Sequence, residues 1–115
     1  MSLTITREEL LRKLLSASRP IVVEALPPKY FADKHLPGAL NLPHDKVDTL
    51  APELLPDKRA EIVVYCANLQ CQNSHIAAHR LNALGYQHVS VYRGGKQDWE
   101  AANLPLESSA ELVPV

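Results

Sequence analysis

The stretch IVVYCANLQCQNS, residues 62–74, carries the clearest structural pattern in the chain. Its first four residues are β-branched or aromatic and predict a short strand that is covered on both faces. After the stretch, Ala77 and Leu81 recur at helical spacing. These residues therefore predict a buried strand, a loop that starts at Cys66, and a helix that begins near Ser74.

Short strands and helices alternate along the rest of the chain. Thr6 and Glu9 have the spacing of a capping box, which predicts the start of a first helix. Proline and glycine residues separate the later segments. The patterns predict helices over residues 7–16, 27–34 and 47–55 and around Trp99, and strands over residues 21–23, 39–42 and 89–92. Such alternation through short connections predicts an α/β fold with a mostly parallel sheet.

The composition bounds the size of the fold. The chain has 115 residues, of which 46% are hydrophobic, and this is enough for one buried core without disulfides or metal ions. Residues 108–115 show no periodicity and are predicted to form a loosely ordered tail. The sequence therefore predicts one domain that ends before this tail.

The charge balance argues against several classes of function. The chain carries 12 basic and 13 acidic residues, with a formal net charge of -1. It therefore lacks the basic surface expected of proteins that bind nucleic acids or anionic membranes. No stretch reaches the roughly 20 apolar residues of a membrane span, and no signal-peptide pattern is found. We predict a cytoplasmic protein.

The two cysteines lie in the loop that follows the strongest predicted strand. In parallel sheets, ligands gather at the carboxyl ends of strands, and Cys66 is predicted to lie at such an end. Unpaired amides in a curved loop and in the first turn of a helix stabilise a thiolate, a persulfide or a bound oxyanion, and they lower the pKa of a thiol. We therefore predict a reactive Cys66 with a lowered pKa, and Ser74 as the N-cap of the following helix.

Several ordered motifs carry a family resemblance. The segments HLPGA at 35–39 and VYC at 64–66 resemble the His-Ile-Pro-Gly-Ala motif and the strand before the active-site cysteine of rhodanese-like domains. The closing half matches in order and spacing at Gly85-Tyr86, Val89, Gly94-Gly95, Trp99, Leu104-Pro105 and Glu107. The resemblance spans residues 4–107 and implies a three-layer fold, in which helices flank a central, mostly parallel five-stranded sheet.

The resemblance implies a sulfurtransferase. In such domains the cysteine accepts a sulfane sulfur from thiosulfate or a persulfide, then passes it to a thiol, a sulfur-relay protein or another nucleophilic acceptor. Carried over to this chain, Cys66 is the catalytic nucleophile, no cofactor or metal ion takes part, and backbone amides of the loop cradle the sulfur. The cradle residues are Ala67, Asn68, Leu69, Gln70, Cys71, Gln72 and Asn73.

The chain departs from the family pattern in charge and in loop length. It has Glu24-Ala25-Leu26 where many members have Asp-x-Arg, and its loop is longer than the common version. The loop has no Arg or Lys between Cys66 and Ser74, so a dianionic donor such as thiosulfate meets no loop cation. A neutral or protein-borne persulfide is therefore the favoured donor. Arg93, at the end of the last strand, and His75, after the loop, are candidate accessory residues.

Cys71 permits two interpretations. It is a candidate resolving thiol, which attacks a persulfide or a sulfenate on Cys66 and leaves a disulfide. Alternatively, it packs under the loop without a chemical role. The spacing permits contact between the two cysteines but does not show that their sulfur atoms face each other.

Two alternative functions stay open on the sequence. One is a thiol redox module that cycles between a dithiol and a Cys66–Cys71 disulfide, and the other is a non-catalytic binding or regulatory domain. A cysteine phosphatase is disfavoured, because Gln72 and Asn73 occupy the region where such enzymes need an arginine to hold phosphate. A zinc site is disfavoured, because a structural site needs four ligands and Cys66, Cys71 and His75 supply three.

Overall fold

Five parallel strands form the centre of the part of the chain that the structure describes. The computed structural model describes residues 3–108. The strands are β1 (Leu3–Ile5), β2 (Ile21–Glu24), β3 (Leu40–Asn41), β4 (Glu61–Tyr65) and β5 (His88–Tyr92). They lie in the order β1-β5-β4-β2-β3, and each neighbouring pair is parallel. The predicted α/β fold with a five-stranded sheet is confirmed, and these strands are parallel throughout rather than mostly so.

Within residues 3–108, five helices cover the two faces of the sheet. They are α1 (Arg7–Leu14), α2 (Pro28–Asp33), α3 (Val47–Leu54), α4 (Asn73–Ala83) and α5 (Gly95–Ala101). One core joins α3 and α4 to the sheet through residues such as Ala51 and Leu81, and a second joins α1 and α5 to its other face through Leu10 and Trp99. The sheet is therefore the middle of three layers, as predicted. No helix in residues 3–108 is long and apolar enough to cross a membrane.

The start of α1 follows from its local sequence. The Thr6 hydroxyl accepts a hydrogen bond from the Glu9 amide, and the Glu9 carboxylate accepts one from the Thr6 amide, each at 3.1 Å. The predicted capping box is therefore confirmed. The helix ends at Leu14, before the predicted end at Ser16.

Strand β1 is not predicted by the residue pattern. The strand has only three residues, and of these only Ile5 is buried, so the segment is too short to give a clear pattern. It forms a strand because it pairs with β5, from Leu3 opposite Ser90 to Ile5 opposite Tyr92. This pairing places the beginning of the described chain at one edge of the sheet.

A short antiparallel bridge ties the end of the described chain to the segment before β3. The His35 amide donates to the Glu107 carbonyl at 2.9 Å, and the Glu107 amide donates to the His35 carbonyl at 2.8 Å. The His35 ring stacks on Phe31, with centroids 3.9 Å apart. The Ser108 hydroxyl donates to a carbonyl of α2 at 3.0 Å. The rest of the predicted tail, residues 109–115, lies outside the described residues.

Candidate functional site

Cys66 lies at the carboxyl end of β4, the middle strand of the sheet. The residue is only 2% exposed. Its Sγ atom lies 3.3 Å from Ser74 Oγ and 3.4 Å from the carbonyl oxygen of Cys71. The thiol is therefore held between the end of the loop and the first turn of α4, close to the position that the sequence predicts.

Asn68 folds the loop back on itself. Its Oδ1 accepts hydrogen bonds from the amides of Gln70 and Cys71, each at 3.1 Å. The Cys71 amide also lies 3.2 Å from the Asn68 carbonyl oxygen. This Asx turn returns Cys71 to the side of Cys66. The amides of Gln70 and Cys71 thus already have a partner within the loop, which differs from the predicted cradle.

Ser74 does not cap the helix, so that prediction is wrong. Helix α4 begins at Asn73, its N-cap position is Gln72, and no side chain makes a capping hydrogen bond there. Ser74 is the second helical residue, is 1% exposed, and points its hydroxyl at Cys66. The hydroxyl cannot cap because it lies inside the first turn and is engaged with the thiol.

Burial raises the pKa of the Cys66 thiol, against the prediction that the loop lowers it. The neighbouring Cys71 side chain raises the pKa further, while the hydroxyl and the amide of Ser74 lower it. The hydroxyl and the amide of Ser74, in the first turn of α4, act on the sulfur, but removal of the thiolate from water outweighs them. The Cys66 thiol is therefore protonated at neutral pH. When it ionises, the hydroxyl and the amide of Ser74 stabilise the thiolate.

Helix α5 fixes the first part of the loop. The amides of Lys96 and Gln97 donate to the carbonyls of Cys66 and Ala67, at 3.0 and 2.9 Å. Gly95 makes this approach possible, because it has a left-handed φ of +64° and a Cβ atom there would overlap the Cys66 carbonyl oxygen. Gly95, the second residue of the Gly94-Gly95 pair, thus provides a close contact with the loop.

A buried set of charged and phenolic side chains lies next to the loop, and we call Glu24, Tyr65 and Lys96 the Glu24 cluster. The Tyr65 hydroxyl donates to Glu24 Oε1 at 2.7 Å, and Lys96 Nζ lies 3.0 Å from Glu24 Oε2. Glu24 is fully buried, and Lys96 also donates to the Tyr30 carbonyl at 2.9 Å. Burial raises the pKa of Glu24, whereas the Tyr65 hydrogen bond and the Lys96 charge lower it.

Leu26 occupies the position of the arginine in the Asp-x-Arg pattern. The cation that meets Glu24 in this protein comes from Lys96 on α5. Sequence reasoning missed Lys96. The available signals were a lysine directly after the glycine pair and an acid at the end of β2 that lacked a local cation.

The two candidate accessory residues lie around the site without a described contact to the thiol. His75 follows Ser74 on α4 and is half-buried. Arg93 is exposed and lines an open groove of about 700 Å³, which Leu69 of the loop also lines. Their influence on Cys66 stays a prediction. Within residues 3–108, no group of three or more His, Cys, Asp or Glu side chains could hold a metal ion.

Comparison with protein families and curated sequences finds clear relatives. A family model described as Rhodanese-like domain matches residues 6–102. The chain is 31% identical over 108 residues to the HTH-type transcriptional regulator Rv0324 of Mycobacterium tuberculosis. This match covers 94% of the chain but 46% of the relative, so the chain spans about half the length of that curated protein.

Solved structures with the same architecture include three informative neighbours. The rhodanese-like domain of the Alr3790 protein from Anabaena sp. has a TM-score of 0.78 and 27% identity, covering 100% of this chain and 86% of that chain. Thiosulfate sulfurtransferase from Pseudomonas aeruginosa has a TM-score of 0.78 and 25% identity, covering 94% and 20%. A rhodanese with anions from E. coli has a TM-score of 0.64 and 27% identity, covering 77% and 98%.

Proposed function

The chain belongs to the rhodanese-like domain family, and from this premise we propose that it is a sulfurtransferase that carries sulfane sulfur as a persulfide on Cys66. The observation that carries the proposal is the placement of the thiol. Cys66 lies at the carboxyl end of the middle strand, with the Ser74 hydroxyl 3.3 Å from Sγ. Ligands of such folds bind at the carboxyl ends of the strands, so the Cys66 thiol lies where a sulfur donor is expected to bind.

The proposed reaction has two displacement steps. The Cys66 thiolate attacks the sulfane sulfur of a donor, the donor leaves with the electron pair of the broken S–S bond, and a persulfide forms. An acceptor thiolate then attacks the outer sulfur, and Cys66 leaves as a thiolate. In both steps the Ser74 hydroxyl and amide stabilise negative charge on Cys66, since both lower its pKa.

The charges near the site favour a persulfide donor over thiosulfate. The loop from Cys66 to Ser74 contains no Arg or Lys, and the nearby Lys96 ammonium is paired with Glu24. A dianion thus gains little from these groups. We propose a low-molecular-weight or protein-borne persulfide as donor, and a thiol or a sulfur-relay protein in a reducing cytoplasm as acceptor.

Intact mass spectrometry tests the proposal. The reduced protein is exposed briefly to a low-molecular-weight persulfide and, separately, to thiosulfate, and is measured at once. We expect one added sulfur atom that cyanide removes, faster with the persulfide, and none in Cys66→Ser. Loading that survives in Cys66→Ser would contradict the assignment of the nucleophile, and equal rates with both donors would contradict the donor preference.

A regulatory module is the second candidate function. The curated relative named above is a transcriptional regulator of which the matched region covers 46%. In such a role, the sulfur state of Cys66 would be read by a partner domain instead of being passed on. Transfer of sulfur from loaded protein to an acceptor thiol at many turnovers favours the enzyme, whereas stable loading without turnover favours the module.

A further inference from the structure

We propose that Cys71 is a second nucleophile, which attacks the persulfide on Cys66, releases hydrosulfide and leaves a Cys66–Cys71 disulfide. The inference rests on the proposed function, because it needs the Cys66 persulfide as its starting point. It adds an outcome for the bound sulfur when no acceptor arrives. The domain would then release the sulfur as sulfide and be left with a Cys66–Cys71 disulfide.

The loop geometry brings the two cysteines together. The Cys71 amide donates hydrogen bonds to the carbonyl oxygen and to Oδ1 of Asn68, at 3.2 and 3.1 Å. The resulting turn reverses the direction of the chain. As a result, the Cys71 backbone lies against the Cys66 thiol, with 3.4 Å between Sγ and the carbonyl oxygen. Both cysteines are free, so a bond between them requires no exchange with another disulfide.

The two thiols differ in burial, which favours Cys71 as the nucleophile and Cys66 as the sulfur that it attacks. Cys66 is buried, while Cys71 is half-buried. The Cys71 side chain acts directly on the ionisation of the Cys66 thiol, which it disfavours. Because Cys71 is the more exposed of the two, we assign its thiol as the attacking group and the buried Cys66 sulfur as the one that receives the attack.

The step balances without an external oxidant. Before it, Cys66 Sγ is bonded to the outer sulfur of the persulfide, and Cys71 is a thiolate. The Cys71 sulfur forms a bond to Cys66 Sγ, the bond to the outer sulfur breaks, and hydrosulfide leaves with the electron pair. The Cys71 sulfur is oxidised and the outer sulfur is reduced, while Cys66 Sγ exchanges one S–S bond for another. A dithiol reductant then returns the two cysteines to thiols by ordinary exchange.

The Asn68 turn also gives the step an advantage over attack by free thiols. Two groups held in one short loop react at a high effective concentration. We therefore expect the persulfide to decay by a first-order process that does not depend on protein concentration. Decay by intermolecular exchange would accelerate as the protein is concentrated.

The experiment follows loaded protein in the absence of an acceptor. Anaerobic wild-type protein is loaded with a low-molecular-weight persulfide, separated rapidly from excess donor, and followed over time by intact mass and by assay of released sulfide. We expect the added sulfur to disappear and the mass to fall by two hydrogens below that of the reduced protein. One equivalent of sulfide should appear per disulfide, and peptide mapping should join Cys66 to Cys71.

Cys71→Ser and Cys71→Ala are the matched variants. We expect both to load one sulfur atom and to keep it at least about tenfold longer than the wild type. The use of two substitutions separates loss of the thiol from any disturbance of the loop, and unfolding curves check that both variants fold. A wild-type persulfide that lasts as long as that of the variants would overturn the inference and leave the sulfurtransferase proposal intact. Failure of every form to load sulfur would overturn both.

Discussion

The loop from Cys66 to Ser74 and the Glu24 cluster lie on opposite sides of the same strand end and differ in charge. Tyr65 and Cys66 are consecutive, so their side chains point to opposite faces of the sheet. Tyr65 packs in the core beneath α1 and α5 and holds Glu24, whereas Cys66 faces α4 and contacts Ser74. The protein thus keeps a full ion pair on one face and a neutral thiol on the other.

The difference shows how each face stabilises negative charge. On the face with the Glu24 cluster, a buried carboxylate is met by the Lys96 ammonium at 3.0 Å and by the Tyr65 hydroxyl. On the thiol face, the described donors are the hydroxyl and the amide of Ser74, and burial still raises the pKa of Cys66. The first arrangement suits a permanent charge, and the second suits a charge that appears only during reaction.

Breaking the ion pair is expected to have the largest effect on stability. In Lys96→Met the Glu24 carboxylate stays buried without its cation, and we expect a loss of about 3–5 kcal/mol in the free energy of unfolding. The double variant Lys96→Met/Glu24→Gln removes both charges and should recover a large part of that loss. Urea unfolding of the wild type, both single variants and the double variant measures the coupling. Additive single effects would show that the pair does not act as a unit.

Gly95→Ala tests the contact between α5 and the loop. Its left-handed conformation disfavours a side chain, and its Cβ would overlap the Cys66 carbonyl oxygen. We expect a loss of about 2–3 kcal/mol in unfolding free energy, together with slower sulfur loading. Gly38→Ala is the matched control, since Gly38 has a φ of +73° but meets only the flexible Arg19 side chain.

The control in this pair isolates the loop contact from backbone strain. Gly38→Ala should lose about 1–2 kcal/mol, as expected for a residue forced into the left-handed region, and should load sulfur at the wild-type rate. Equal effects of the two substitutions on both measurements would show that the close approach of Gly95 to Cys66 has no role.

Ser74→Ala should have the smallest and most specific effect. Because the pKa of Cys66 is raised, the thiolate fraction and the loading rate rise with pH through the alkaline range. The Ser74 hydroxyl lowers that pKa, so its removal should move the rise to higher pH. We expect Ser74→Ala to load sulfur about three- to tenfold more slowly than the wild type at neutral pH. The two rates should become nearly equal at a pH where Cys66 is ionised in both proteins.

Rates of persulfide formation measured against pH check this expectation. Ser18→Ala, on the exposed turn before β2, serves as a control and should leave the profile unchanged. A reduction in the Ser74→Ala rate by the same factor at every pH would point to disturbed packing and against an effect on ionisation.

The sequence predicted those parts of the fold that depend on near neighbours. The capping box of Thr6 and Glu9 and the β-branched run before Cys66 were confirmed, because each pattern acts within one element. Strand β1 was missed because its pairing with β5 joins residues that are distant in sequence, and only Ile5 of that strand is buried. The N-cap of α4 lies at Gln72, two residues before the predicted Ser74, whose hydroxyl is engaged with Cys66.

At the site, the position of Cys66 was predictable, whereas the balance of forces on it was not. A loop after a buried strand indicates amide donors, but the extent of burial that raises the pKa of Cys66 arises from the packing of separate elements. Ser74 was noticed for its residue type and given the wrong partner. The Glu24–Lys96 pair joins β2 to α5, and no local pattern connects the two residues.

The two hydrogen bonds from α5 to the Cys66 and Ala67 carbonyls divide the loop into an anchored base and a replaceable tip. Leu69 and Gln70 form the tip, and both are exposed. Exchange of residues at the tip, in evolution or in a designed library, should therefore change the exposed surface of the loop while Cys66 keeps its place. The residues that hold Cys66 and the residues that form the exposed surface of the loop can therefore vary independently.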